Sequence, residues 1–375
     1  MPFGDFSGSG FCGNAAAVGQ LRRLIASGGM NRAVLLAGPR GVGKTTLAIL
    51  AGLALNCQAP PAPGDFCGHC PSCAQLDPAW RDLPGMIAAA LAFREQQAKT
   101  RAKDAAPLVL AVHPRISIYP PDGDFLTLPQ ARLLSERLQG KTAAGEFTTV
   151  ILPGFDQARW MVQNALLKTL EEPPPRTCLL PLARNPMELL PTVRSRALQV
   201  SLGPVPEAEL VAWLERQPLE PPVGGWKVIA RLAQGSPGLA VSEDWAAYRE
   251  LREQALALLA AGLNPGDPRS LFELTARLFP PGRAGKEKLE SLTEILYSLL
   301  QDILYVTAGR AAAIRNWDCR AELAALASRL SPRHLSRAIV EADQMAAAAQ
   351  RNAQRGLALE AWALRLSRGS SAAWA

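Results

Sequence analysis

The chain has 375 residues, of which 48% are hydrophobic and 19% charged, which predicts two or three ordinary packed domains at roughly 150 residues each. This excludes wholesale disorder and a small module dependent on cross-links. Forty Lys and Arg against 33 Asp and Glu leave a net charge of +7, compatible with nucleic acid nearby and with a plain soluble protein alike. The start, MPFGDFSGSGF, lacks the basic and apolar regions of a secretion signal, and no apolar run is long enough for a membrane span. A cytosolic protein is expected, in which the seven cysteines form metal ligands or buried apolar residues rather than a disulfide framework.

In chain order, the apolar run at residues 33–38 predicts a buried parallel strand, followed by a glycine-rich turn and a helix from Thr45 to Leu55. Gln58 to Pro71, rich in Pro and Gly, reads as a loop-built insert. Residues 85–104 predict an amphipathic helix, Leu108 to Val112 and Ile116 to Tyr119 strands, and Leu128 to Leu138 a helix. Thr148 to Leu152 is a further buried strand, and the helix from about Ala158 to Leu170 is stopped by Pro173, Pro174 and Pro175. Cys178 to Ala183 and Leu198 to Leu202 complete an alternation that argues for a mostly parallel sheet covered on both faces. Beyond Leu202 the patterns are helical. The expected division is an α/β domain over 1–203, a small helical lid over 204–245, and an all-helical region over 246–375.

Gly38-Pro39-Arg40-Gly41-Val42-Gly43-Lys44-Thr45 fits the phosphate-binding G-x-x-x-x-G-K-T motif, with the required strand before it and helix after it. Its glycines let backbone N–H groups converge on a phosphate, Lys44 can reach the β/γ-phosphates and the Thr45 hydroxyl can hold Mg²⁺. Thr46 completes the candidate nucleotide-binding set. Hydrolysis asks for more: a carboxylate for the metal and a group that positions water.

Cys57, Cys67, Cys70 and Cys73 place four thiols at spacings that suit tetrahedral Zn²⁺. Four sulfurs saturate the ion, so the expected site is structural and pins a loop with little core of its own. His69 could replace one sulfur but is more simply exposed, and Cys12, Cys178 and Cys319 read as small buried apolar residues.

The stretch from Asn164 through Leu170-Glu171-Glu172-Pro173, the four-cysteine insert after the P-loop helix, and Leu190-Pro191-Thr192-Val193-Arg194-Ser195-Arg196 together resemble the AAA+ subunits of bacterial DNA polymerase III clamp loaders. The tail from Arg351-Asn352 through Glu360 and the stretch Tyr297 to Asp302 are similar to the collar helices of the delta-prime branch, with the gamma/tau motor subunit as nearest competitor. The resemblance implies an AAA+ P-loop domain with a zinc insert, a helical lid and a C-terminal collar that oligomerises. It also implies gamma/tau and delta partners in a hetero-pentamer, indirect contact with the sliding clamp and primed DNA, and a cytoplasmic place in the replisome.

Against the family pattern, the Walker B carboxylates fall on Pro153 and Gly154, and Asp156 lies three residues further on. The sensor threonine falls on Ala183 or Arg184, and Gly235-Ser236-Pro237-Gly238 lacks the lid arginine. ATP or ADP binding without efficient turnover, and without a proper Mg²⁺ site, is therefore expected. What remains is Arg196, which the resemblance makes an arginine finger acting on a neighbour's ATP. The rival readings are a gamma/tau-like ATPase and a P-loop scaffold outside replication. Arg94, Lys99, Arg101 and Lys103, interleaved with Glu95 and Asp104, read as a solvated helix face rather than a DNA-binding one. The stretch from Ala74 to Val112 is longer than the family usually carries.

Overall fold

The computed structural model describes residues 10–100, 106–139, 146–221, 224–264, 266–279, 286–310, 313–350 and 355–367. In chain order the elements are α1 (Ala15–Ala26), β1 (Val34–Ala37), α2 (Lys44–Asn56), α3 (Leu83–Thr100), β2 (Leu110–His113), β3 (Ile116–Ile118), α4 (Leu128–Gln139), β4 (Thr148–Leu152), α5 (Trp160–Glu171), β5 (Thr177–Ala183), α6 (Pro191–Arg194) and β6 (Leu198–Ser201). Helices alone follow: α7 (Glu207–Leu214), α8 (Gly225–Leu232), α9 (Pro237–Ser242), α10 (Trp245–Gly262), α11 (Pro268–Leu278), α12 (Lys286–Thr307), α13 (Arg320–Ala327), α14 (Pro332–Gln350) and α15 (Arg355–Ser367). Two compact units emerge. One runs through Trp213 and takes in Gly235–Leu239; the other comprises Leu214–Gln234 and the chain from Ala240 onward.

The first unit holds a six-stranded, mostly parallel sheet in the order β2-β3-β4-β5-β1-β6, covered by helices. All neighbouring pairs are parallel except β2 with β3. Alternate residues of the central strands enter separate cores. Val34 and Leu36 join α1 and α2 on one face, whereas Ala33 and Leu35 join α4 and α5 on the other. That is the consequence of a two-residue period in a sheet covered twice, and it explains why these strands read as continuous apolar runs. Pro181 lies inside β5, flanked by β4 and β1. It is tolerated opposite Leu152, the last residue of β4, where that ladder ends.

The four-cysteine insert is not merely a loop draped on the surface. Phe66 is fully buried, and Cys67, Cys70, Cys73, Leu76 and Trp80 share one core with α1 and α2. Asp65, itself buried, pairs with Arg22 at 2.9 Å. Gly64 has φ 75°, and a Cβ there would lie 2.1 Å from the Arg22 carbonyl oxygen, so the docked turn requires glycine. The stretch from Ala74 to Val112 gains a role in the same place. Its strand β2 extends the sheet edge, Val112 O accepts from Asp77 N at 2.8 Å, and buried His113 bridges to the insert. His113 Nδ1 accepts from Arg115 N and its Nε2 lies 3.0 Å from Ser72 O, which assigns the neutral ring with the proton on Nε2. Burial holds the His113 pKa below its ordinary value, although the Ser72 carbonyl pulls it back upward.

In the second unit, α10 to α15 close around Leu258, Leu259, Leu296, Leu299, Ile303 and Trp362. Asp244 and Asp267 cap the starts of α10 and α11 by accepting from Ala246, Ala247 and Ser270 N–H groups. Asp302 on α12 is almost wholly buried. It accepts from Arg315 N at 2.8 Å and from Asn316 N at 2.7 Å, and Asn316 Nδ2 donates to it at 2.8 Å. Buried Arg252 donates to Asn316 and Asp318, while Arg315 Nε donates to Leu232 O at the end of α8 at 2.9 Å. Among the described residues no helix is long and apolar enough to cross a membrane.

Candidate functional site

The P-loop connects β1 to α2, whose first residue is Lys44. Gly38, with φ 154°, packs so closely on Leu202 that a Cβ would lie 2.2 Å from its carbonyl oxygen. The loop is also held from the far side of the sequence. Ser236 Oγ donates to Arg40 O at 2.8 Å, and Gly238 N donates to Gly41 O at 2.8 Å. The Gly235–Gly238 turn thus clasps the loop through backbone and hydroxyl contacts, which no residue-type signal in the sequence reveals. Lys44 folds back over the loop, its Nζ 2.6 Å from both Gly38 O and Pro39 O. Burial pushes its pKa down to about 8, with the charge of Arg184 adding to the fall and that of Asp156 opposing it.

Asp156 follows β4 in a short 3-10 turn that begins after Gly154, whose φ is 65°. Its Oδ2 accepts from the backbone N–H groups of Arg184 (2.7 Å) and Asn185 (2.9 Å), just past the end of β5. Oδ1 is buried with no hydrogen-bond partner, so the Lys44 charge is its nearby compensation. Pro153 and Gly154 offer no side-chain oxygen where the strand ends. These residues do not fit a catalytic Mg²⁺, which wants carboxylate and hydroxyl oxygens free to turn toward the phosphates. Asp156 is instead a brace for the backbone that carries Arg184.

The four cysteines meet the geometric demand of a metal centre. Cys57 Sγ lies 3.6 Å from Cys67 Sγ and 4.0 Å from Cys70 Sγ, and all four sulfurs fall within 4.8 Å of one another. Tetrahedral Zn–S bonds of about 2.3 Å place sulfurs about 3.8 Å apart, so the cluster can hold a metal ion. Backbone N–H groups of Cys67, Cys70 and Cys73 donate to the sulfurs of Cys57, Cys67 and Cys70, the arrangement that stabilises thiolates. His69 stays outside the cluster and is exposed, its Nδ1 2.7 Å from Cys67 O. Cys12, Cys178 and Cys319 are buried and apart from it, and burial pushes the Cys178 thiol up to about 12.

Arg196 lies between α6 and β6. Its Nε is 3.1 Å from Glu171 Oε2 at the end of α5, and its Nη1 donates to Thr192 O at 3.0 Å. The sequence marks the LEEPP run as a motif but carries no signal that its first glutamate meets an arginine 25 residues later. Of the basic stretch, Arg94 is half-buried and paired with Asp122, which corrects the expectation of a solvated face at that position, because β3 is followed by a loop that returns over α3. The Lys99 side chain and residues 101, 103 and 104 lie outside the described residues, as do Arg351 and Asn352.

With this geometry in place, the family comparison is direct. The family described as "DNA polymerase III, delta subunit" matches residues 13–206, and its C-terminal counterpart matches residues 244–368. The chain belongs to the DNA polymerase III delta-subunit family. Within that family it is 36% identical over 176 residues to the DNA polymerase III subunit delta' of Escherichia coli, an alignment covering 46% of this chain and 48% of that one. It is 30% identical over 226 residues to the delta' subunit of Pseudomonas aeruginosa, covering 60% and 59%. A Mycobacterium bovis gamma/tau subunit is 28% identical over 190 residues, covering 51% of this chain and 27% of its own. The delta-subunit chain therefore spans about half the length of the curated relatives it matches.

Proposed function

We propose that the chain is a delta-prime-like subunit of a DNA polymerase III clamp loader, which joins an AAA+ ring and presents Arg196 to a neighbouring subunit's ATP. Membership of the delta-subunit family and the two delta' relatives support the subunit reading. The observation that carries the division of labour is Asp156: the carboxylate whose charge acts on Lys44 is engaged by the backbone of Arg184 and Asn185, beside Pro153 and Gly154. Such a pocket supports nucleotide holding by Gly38 to Thr46 without efficient hydrolysis. Arg196, half-exposed beside Glu171, supplies a planar cation of the kind that stabilises charge on a transferring phosphoryl group. The partners are gamma/tau and delta subunits in a hetero-pentamer, with the sliding clamp and primed DNA served indirectly and the cytoplasmic replisome as the setting. Zn²⁺ at Cys57, Cys67, Cys70 and Cys73 is structural. The lid at 204–245 and the collar from 246 are the functional divisions that follow the domain of 1–203.

The test is a reconstituted loader carrying Arg196→Ala in this subunit. The expected outcome is assembly at normal yield with clamp- and DNA-stimulated ATP turnover lowered, by up to the order of 10³-fold at the sites it serves. Unchanged stimulated turnover removes the trans-acting role. A gamma/tau-like motor is the second reading, favoured by the intact P-loop; turnover by this subunit alone at about 1 per second or faster decides for it.

A further inference from the structure

We infer that Glu171 is the positioning residue of Arg196, an inference that rests on the trans-acting role proposed for that arginine. A guanidinium has five N–H groups in one plane. Two of them are engaged within this chain: Nε with Glu171 Oε2 at 3.1 Å and Nη1 with Thr192 O at 3.0 Å. The anchors come from different elements, the last residue of α5 and the first turn of α6. Contact on two edges fixes both the position and the rotation of a planar group, whereas either contact alone leaves it free to swing. The remaining N–H groups, on Nη1 and Nη2, are the donors left for an incoming anion.

The pair does little for folding. Arg196 and Glu171 keep 32% and 51% of their side-chain surface in solvent, and ion pairs so exposed contribute almost nothing to stability. Its effect falls on the arginine's freedom. A lone arginine samples many rotamers, and ordering it only when the phosphoryl group transfers subtracts from the rate. Holding it beforehand is worth roughly 3- to 30-fold in turnover. Glu171 serves this purpose because the proline run at Pro173 to Pro175 stops α5 directly after it, which fixes where its carboxylate can reach.

The experiment uses the full loader assembled with Glu171→Ala, Glu171→Gln, Glu171→Asp, Arg196→Ala and the Glu171→Ala/Arg196→Ala pair, each checked for assembly by mass photometry. Stimulated kcat is expected to fall roughly 3- to 30-fold with Glu171→Ala and Glu171→Gln while KM for ATP stays within about 2-fold. Glu171→Asp, which keeps the carboxylate, is expected to recover most of the rate, and the double variant to match Arg196→Ala alone. Glu171→Gln preserves volume and is the variant to read if Glu171→Ala fails to assemble. Normal or faster turnover with Glu171→Gln, against a slow Arg196→Ala, overturns the positioning role and leaves the finger standing. A further loss in the double variant also overturns it, because Glu171 would then act elsewhere. If Arg196→Ala itself is without effect, the trans-acting role fails and the inference falls with it.

Discussion

Lys44 gives the residue scale its sharpest consequence. Its ammonium is surrounded by two carbonyl oxygens, Gly38 O and Pro39 O, but its burial outweighs them and its pKa falls from 10.5 to about 8. A lysine with a lowered folded pKa releases its proton more readily folded than unfolded. The unfavourable contribution is therefore fully present below pH 8 and disappears as pH rises from about 8 to 10.5. The difference in Tm between Lys44→Met and the parent chain is expected to be flat below pH 8 and to move in the parent's favour across that window. A flat difference throughout, measured by thermal unfolding at stepped pH, would contradict the burial. At this scale the phosphate loop was legible because its residues are contiguous and their spacing is itself the chemistry. The partnership of Glu171 with Arg196, the brace made by Asp156 and the pairing of Arg94 with Asp122 were not, because each depends on how distant segments approach.

At the scale of elements, the central strands were readable because a sheet covered on both faces leaves few polar positions to confuse the pattern. Pro181 does not break β5 because it sits opposite the end of β4. The sequence of the insert is turn-rich and predicts little core of its own. The structure gives it Phe66, Leu76 and Trp80, buried against α1 and α2, apolar residues too scattered along the loop to show a period. A metal held by the four sulfurs would act together with this core. Removal of the metal with a strong chelator, or Cys67→Ser, is expected to lower the Tm of the sheet-bearing unit, with about one zinc per chain found before treatment by atomic absorption. Gly64→Ala is expected to produce a similar loss without removing a ligand, by driving a Cβ against the Arg22 carbonyl, at a cost of about 1–3 kcal/mol.

The sheet-bearing unit and the helical unit have cores that share no residue, so a single unfolding transition is not expected of the whole molecule. Asp302 provides a selective handle on the helical unit. Replacing it with Ala strands the Arg315 and Asn316 backbone N–H groups and leaves Asn316 Nδ2 with Ser298 Oγ alone, at about 1–3 kcal/mol for each buried donor left unsatisfied. Differential scanning calorimetry of Asp302→Ala should show the helical unit's transition shifted down and the metal-sensitive one in place; displacement of both by the same amount would refute separate cores. Helical patterning made the C-terminal region legible from its three- and four-residue recurrences, whereas the excursion of Gly235–Leu239 into the sheet-bearing unit left no compositional trace.

That excursion has a practical corollary for anyone trimming the gene. A fragment that stops after β6, the natural place to cut on sequence grounds, would discard the hydroxyl of Ser236 and the amide of Gly238, and with them two of the props beneath Arg40 and Gly41. Such a truncated protein could keep its entire sheet and still present a slackened nucleotide cradle, so an affinity measured on it would describe the shortened polypeptide rather than the subunit.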